Sequence, residues 1–551
     1  MLTTLNAKYI HKNLALRWLY SANLKHIPCI LKEYVIAQDL DKIAMELLDE
    51  EADVIAFSCY IWNIEPTRRI IQKLRQKSDV HIVVGGPEVS YGSEYLLEEG
   101  IDAIMIGEGE IAFWAYIDSL IEAKPKSIIG VYTKQFPNTV QARVDLAFNE
   151  TLPTPYFPDY DAADMGKRYL YVETSRGCPY SCTYCLSSTD QHVRLYSEEY
   201  ILDVLEKIAQ SEVKIVKLLD RTFNVMPQRA LRIARYMNEY CVNQVFEFEV
   251  VAETLSTELL KFFIEEADKS RFRLEIGVQS FHQPSLKAVG RRQDNDKIVS
   301  IIRMLQQAGV IIHVDLIAGL PYEDMSEFQR SFNRLFDLHC AELQLGILKT
   351  LKGTKLNEEK DKYHLEFNEN PPYDVVKTAW VNQEDLRRLN QCAYAVERYY
   401  NNGRCRTSII TLLDYLDIDA FTFFMALGER LNLLKRPYSI EQAFLVLKET
   451  ALMFSEDEAN IVAIINCDYY RLHKQRPKKL STFTLEQDLR KAFIQQAARQ
   501  GIANKDTLYH YACFDTIYDH HTLGLQCILY TQKQDYPKRW LIHEGEWEEI
   551  I

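Results

Sequence analysis

Long apolar runs are missing. The longest, around Val310 to Leu320, is broken by His313 and Asp315, so no segment reads as a membrane span. The N-terminus, MLTTLNAKYIHKNLALRWLY, has no apolar core of signal-peptide type, and the chain is expected to be soluble and cytoplasmic. Basic residues are in the minority, 64 against 78 acidic for a formal charge of -14, which excludes a surface built throughout to grip phosphate backbones. A local basic groove stays open. Glycine and proline are sparse, 20 and 17 of 551 residues, and with 47% apolar and 26% charged residues this excludes collagen-like repeats and gross disorder. A chain of that length exceeds one hydrophobic core, so two to four domains are expected. Twelve cysteines in a reducing compartment are thiols rather than a disulfide framework, and nine of them are scattered singly.

Three regions follow one another. From Met1 to about Leu120, buried apolar runs (CILKEYVI, DVIAFSCY, VHIVVGG) alternate with helical patterns, the rhythm of an open parallel sheet of Rossmann-like type. Met1 to Leu5 leaves only a short first strand, expected at an edge. The strand ends carry Asn6 to His11, Ser58 to Asn63, Gly85 to Ser90 and Gly107 to Glu110, where ligands of such sheets sit. The proline-bearing stretch 124–166 predicts an extended linker, with a short hairpin around Gly130 to Val144. From YLYVETS to ELQLGIL, six β-α units predict a partial barrel, with Glu173, Asp220, Asn224, Glu253, Gln279, Ser280 and Asp315 at the strands' carboxyl ends. Beyond about Lys355 the pattern is mainly helical, with strands expected in HYACFDTIYD and GLQCILYTQK and no catalytic motif. The run Arg471 to Lys479 reads as a solvated loop, the pair His520 and His521 as surface, and Tyr394, Tyr399 and Tyr400 as packed helices at least as strongly as a binding wall.

The remaining three cysteines, Cys178, Cys182 and Cys185, form C-x3-C-x2-C within GCPYSCTYC, just after the first strand of the second series. Soft thiolates select zinc or an iron-sulfur cluster. A structural zinc wants four ligands, for which His192 is the nearby candidate; three thiolates on a four-iron cluster would leave one iron open. Unligated core thiols are the third reading.

This spacing, with Tyr184 before the last cysteine, resembles the radical S-adenosylmethionine (SAM) superfamily. The resemblance implies a [4Fe-4S] cluster on Cys178, Cys182 and Cys185, with SAM on the open iron and its reductive cleavage to a 5′-deoxyadenosyl radical. It also implies SAM contacts from Tyr184, Glu253, Gln279, Ser280, Asp315 and Gly319.

The Rossmann-like domain ahead of such a barrel resembles the cobalamin-binding radical SAM subgroup, with VVGGPEVS and IGEGE in its fourth- and fifth-strand turns. Cobalamin contacts are then expected from Asn6, His11, Ser58, Gly85, Gly86, Gly107, Glu108 and Gly109. The D-x-H-x-x-G motif that puts a histidine below cobalt is absent; only His11 stands in its place, without the aspartate or the glycine. LNAKYIHKNLALRWLY, LLDRTFN and LQLGILKTLKGT together resemble a bacterial subfamily with an uncharacterised C-terminal domain.

The fold class expected is therefore α/β: a Rossmann-like cobalamin-binding domain (1–123), a linker (124–166), a partial (β/α)6 radical SAM barrel (167–355) and a mainly helical domain with a few strands (356–551). The leading function is methylation or rearrangement of an unactivated carbon in an unidentified small-molecule substrate. An electron donor such as flavodoxin or ferredoxin is implied, and neither membrane nor nucleic acid is expected as a partner. The alternatives are a radical SAM enzyme without cobalamin, including the methylthiolation type, and a non-catalytic redox or cobalamin sensor. Methylthiolation needs three further cysteines ahead of the barrel, where only Cys29 and Cys59 stand.

Overall fold

The computed structural model describes residues 1–473, 477–519, 522–529, 538–543 and 546–550. It divides into two compact units: Met1–His313 with Gly319–Glu323 and Ile347–Val381, and Val314–Ala318 with Asp324–Gly346 and Asn382–Ile551.

The first unit opens with strands β1 (Leu2–Asn6), β2 (Leu31–Val35), β3 (Val54–Ser58), β4 (His81–Gly85), β5 (Ala103–Met105) and β6 (Val131–Tyr132), in the order β2-β1-β3-β4-β5-β6. The first five run parallel, and β6 closes the edge antiparallel to β5. The apolar runs of β1, β3, β4 and β5 are buried on both faces, whereas edge strand β2, expected to be buried, is mostly half-buried, with Ile30 and Ile36 beside it exposed. Helices α2 (Leu40–Leu48) and α3 (Ile64–Arg75) cover one core with Ile55, Phe57, Ile82 and Val84; α1 (Leu14–Ser21) and α4 (Gly109–Ile121) cover the other with Leu16, Val83, Ala103 and Phe113. The order is that of a flavodoxin-like sheet, whose ligand crevice opens between β1 and β3 where the winding reverses. The short first strand is thus not an edge: β1 lies inside the sheet because β2 adds outside it.

The stretch expected as an extended linker is folded. It supplies β6, the helix Leu146–Glu150 and the buried Asp161, which pairs with Arg17 (2.7 Å) and Lys12 (3.2 Å). Pro158 caps the short turn Asp159–Asp164.

The second β/α series starts with β7 (Leu170–Val172). Strands Ile215–Leu218, Val245–Glu249 and Phe272–Gln279 follow, paired parallel to one another in chain order, each separated by amphipathic helices such as Glu198–Ala209 and Pro227–Tyr240. The alternation continues through Ile311–Ala318 and Glu342–Ile347. Along these strands one set of side chains (Val216, Phe246, Phe248, Leu274) is buried under the helices. The other set, in cross-strand register, is polar and half-buried: Tyr171, Lys217, Glu247 and Arg273.

The second unit holds the helices from Gln383 onward and an antiparallel meander of Ala512–Asp519, Thr522–Leu529, Lys538–His543 and Glu546–Ile550. Tyr399 and Tyr400 are buried, their hydroxyls donating to the carbonyls of Ala443 (2.8 Å) and Cys340 (2.9 Å), so this aromatic run is helix packing. His520, His521 and the middle of the basic run, 474–476, lie outside the described residues. Among the described residues no helix is long and apolar enough to cross a membrane.

Candidate functional site

The cysteine loop leaves β7 through Glu173 and Thr174 and is closed at its base by a two-residue antiparallel ladder, Ser175 opposite Leu195 and Arg176 opposite Arg194. Gly177 has φ +94°, and a Cβ there would lie 2.3 Å from the His192 carbonyl oxygen, so only glycine lets the chain double back. The Cys178 amide donates to the Asp190 carbonyl (3.0 Å) and the Cys185 amide to that of Cys182 (3.1 Å). Burial pushes the Cys178 thiol up, against the Tyr180 amide and the Thr222 hydroxyl that bond it. All three are free thiols, Cys182 buried and its partners half-buried. His192, the candidate fourth ligand for a structural zinc, is exposed, and its backbone carbonyl packs over Gly177. Three soft donors fit an iron-sulfur cluster with an open iron.

Against this loop stands Arg291, which sequence reasoning missed. Its guanidinium hydrogen-bonds the Tyr184 hydroxyl, reaches within 4.0 Å of the Cys182 sulfur and donates to the Gly277 carbonyl. Gln293 fixes Arg291 Nε (2.6 Å) and donates to the carbonyls of Val278 (3.2 Å) and Ser280 (2.9 Å). The only sequence signal was a pair of arginines after Gly290, a residue at φ +69° whose added Cβ would meet the Ser181 carbonyl at 2.8 Å.

Of the residues expected to meet SAM, Tyr184, Gln279, Ser280 and Glu253 come together around this arginine and Gln293. Gln279 ends its strand with φ +69°, a left-handed conformation that costs a side-chain-bearing residue about 1–2 kcal/mol. Its amide lies over Gly277, where a Cβ would fall 2.3 Å from Nε2. Ser280 is fully enclosed, its hydroxyl donating to Glu323 and accepting from the His282 amide (2.9 Å). Glu253 accepts from the Asp294 amide (2.5 Å). Gly319 sits at φ +90° after its strand, whereas Asp315, half-buried on that strand, belongs to the other compact unit.

At the β1–β3 switch the expected cobalamin edge is a polar network. Asn63, buried, donates to Thr4 Oγ1 (3.1 Å) and to the carbonyls of Leu5 and Ser58. Asn13 Nδ2 reaches Ser58 Oγ (3.3 Å) and the Tyr60 hydroxyl (3.2 Å), and Asn6 Nδ2 reaches the His11 carbonyl and Glu33 (3.1 Å each). His11 Nδ1 lies 2.6 Å from the hydroxyl of Tyr171 on β7. Burial, then Lys217, Lys8 and Arg168, push its pKa down, so the imidazole is held neutral with an orienting partner that spacing alone could not identify.

The glycines are required for internal reasons. A Cβ on Gly86 (φ +111°) would meet the Cys59 carbonyl at 2.5 Å, one on Gly107 (φ +89°) the Ala142 carbonyl at 2.4 Å, and one on Gly85 the Met105 Cβ at 3.0 Å. Gly109 opens α4 against Leu19. The Glu108 carboxylate is engaged by Arg194 (2.6 and 3.0 Å) and the Val144 amide (2.6 Å).

Comparison with known proteins follows the same division. Residues 172–335 match the Radical SAM superfamily, residues 5–117 the B12 binding domain, and residues 361–523 a protein family of unknown function, DUF4080. The chain carries a radical SAM domain and a B12-binding domain. The chain is 28% identical over 357 residues to the cobalamin-dependent radical SAM methyltransferase TokK of Streptomyces tokunonensis, covering 57% of the chain and 50% of TokK. It is 26% identical over 321 residues to the 2-(S-pantetheinyl)-carbapenam-3-carboxylate methyltransferase of Streptantibioticus cattleyicolor, covering 52% and 45%. The matches thus span about half the length of these relatives. In fold it is similar to the cobalamin-dependent SAM radical enzyme OxsB solved with aqua-cobalamin, at a TM-score of 0.56 and 18% identity over 91% of this chain and 81% of OxsB.

Proposed function

We propose that this chain is a cobalamin-dependent radical SAM methyltransferase acting on an unactivated carbon of a small molecule. The observation that carries the reading is a loop of three free thiols set beside Arg291 and the strained Gln279, in one compact unit with a flavodoxin-like sheet. The methyltransferase names of two relatives support methyl transfer over rearrangement.

In this reading Cys178, Cys182 and Cys185 hold the [4Fe-4S] cluster. Tyr184, Glu253, Gln279 and Gly319 face SAM, with Ser280 holding the strand end in place. Cobalamin lies over the carboxyl edge formed by Asn6, His11, Ser58, Gly85, Gly86, Gly107, Glu108 and Gly109. When bound, the cluster supplies the electron that cleaves SAM and cobalamin carries the methyl group. The chain positions and shields: Arg291 fixes Tyr184 beside Cys182, and Gln293 holds the Val278–Ser280 backbone in its left-handed turn. Twelve free cysteines support a reducing, cytoplasmic setting, with flavodoxin or ferredoxin as the class of electron donor.

The test is anaerobic reconstitution with iron, sulfide and hydroxocobalamin, followed by gel filtration and product analysis. Retention of about one cobalamin per chain and cleavage of SAM to 5′-deoxyadenosine are expected, as for a resident cofactor pair. With substrate, S-adenosylhomocysteine should accompany it; deoxyadenosine alone would make the reaction a rearrangement. Absence of cobalamin retention overturns the cobalamin part of the reading.

A further inference from the structure

Each strand of the ladder that closes the cysteine loop carries one arginine, and the carboxylates that neutralise them come largely from the fifth-strand turn of the N-terminal sheet. Arg194 forks onto Glu108, donates to the Val144 carbonyl (2.7 Å) and pairs with Asp190 (3.1 Å), the residue whose carbonyl holds the Cys178 amide. Arg176, the residue before Gly177, pairs with Glu110 (2.8 Å), with Glu173 (2.9 Å) and, at 3.6 Å, with Glu108. These side chains are mostly buried, between 6% and 23% exposed, so the pairs are weakly screened and strongly directional. A second contact joins the same two regions: the Tyr91 hydroxyl, after β4, donates to Thr189 Oγ1 (2.9 Å) in the cysteine loop.

Glu108 is the N-cap residue of α4 and lies between Gly107 and Gly109, in the turn that faces cobalamin in the reading above. A ligand that grips this turn fixes the Glu108 carboxylate. That carboxylate fixes Arg194, and Arg194 fixes Asp190 and the loop. The path also runs in reverse, since linkage between two binding equilibria is reciprocal.

We infer that Arg176 and Arg194 are positioning residues that couple the two cofactor sites, so that a filled cysteine loop tightens cobalamin binding and bound cobalamin orders the cysteine loop. The inference rests on the proposed function.

It is tested on the full chain by titrating hydroxocobalamin and reading its visible spectrum, with cluster-loaded protein against the cluster-free Cys182→Ala variant. Cluster-loaded protein should bind cobalamin about tenfold more tightly, within the usual range of coupling between sites. Arg194→Gln should bring the two affinities together with both cofactors still bound, and Arg194→Lys should restore part of the difference. Hydrogen exchange on the unsubstituted chain supplies a readout independent of any variant: amides of residues 178–193 should slow when cobalamin is added. Equal affinities in the unsubstituted and Cys182→Ala chains, or a difference that survives Arg194→Gln, overturn the coupling and leave the proposed function standing. No cobalamin binding in any form overturns both.

Discussion

Arg176 and Arg194 stand directly opposite each other in the ladder that closes the cysteine loop, and both reach the carboxylate of Glu108. Two like charges in one cross-strand pair repel, so this hairpin depends on the acid that bridges it. Glu108→Gln preserves size and leaves the guanidinium groups under-compensated. Breaking a largely buried pair in this way costs about 3 kcal/mol, and a lowered thermal midpoint with reduced iron uptake on reconstitution is the expected outcome.

Cys182 is the most buried of the three thiols and the one nearest Arg291. Cys182→Ala should reduce iron from about four atoms per chain to background and abolish deoxyadenosine formation, while far-UV circular dichroism stays unchanged. Retained cleavage of SAM by this variant would refute the ligand assignment.

Gly86 and Gly92 both have positive φ but differ in their surroundings. A methyl group on Gly86 would strike the Cys59 carbonyl, whereas one on Gly92 (φ +55°) has nothing within 4 Å. Gly92→Ala should therefore cost only the left-handed backbone penalty of about 1 kcal/mol, and Gly86→Ala several times more, read as the difference between the two denaturation midpoints.

His11 titrates below its unfolded value of about 6.5 because it is buried beside Lys217, Lys8 and Arg168. The unfolded chain then binds more protons than the folded one, so stability falls as pH drops through and below that value. Above it the group contributes no pH dependence. His11→Gln should flatten the denaturation midpoint between about pH 5 and 6.5 relative to the unsubstituted chain. An identical slope in both proteins would show that the imidazole is not depressed.

The division of the fold was legible because buried parallel strands are continuous apolar runs and the helices between them carry one apolar stripe. The cysteine loop was legible because three thiols in eight residues have few purposes. What holds that loop was not. Arg176 meets Glu110 across 66 positions of sequence and Arg194 meets Glu108 across 86, and no local pattern announces such pairs. The segment 124–166 misled for a related reason: its prolines read as an extended linker, while Asp161 is anchored by Arg17 from 144 residues away. Gly86 and Gly107 were expected as cobalamin contacts, whereas the contacts that require glycine there are the carbonyls of Cys59 and Ala142.

The ladder at Ser175–Arg176 and Arg194–Leu195 also bears on the order of biosynthesis. Part of the entropy of closing the intervening segment is met by backbone pairing and ion pairs that need no metal ligand. Small zinc modules are unfolded until their ion arrives. Here the ladder holds the two ends of the loop together through pairing that does not involve the thiols, so ligation has only the segment between them left to order.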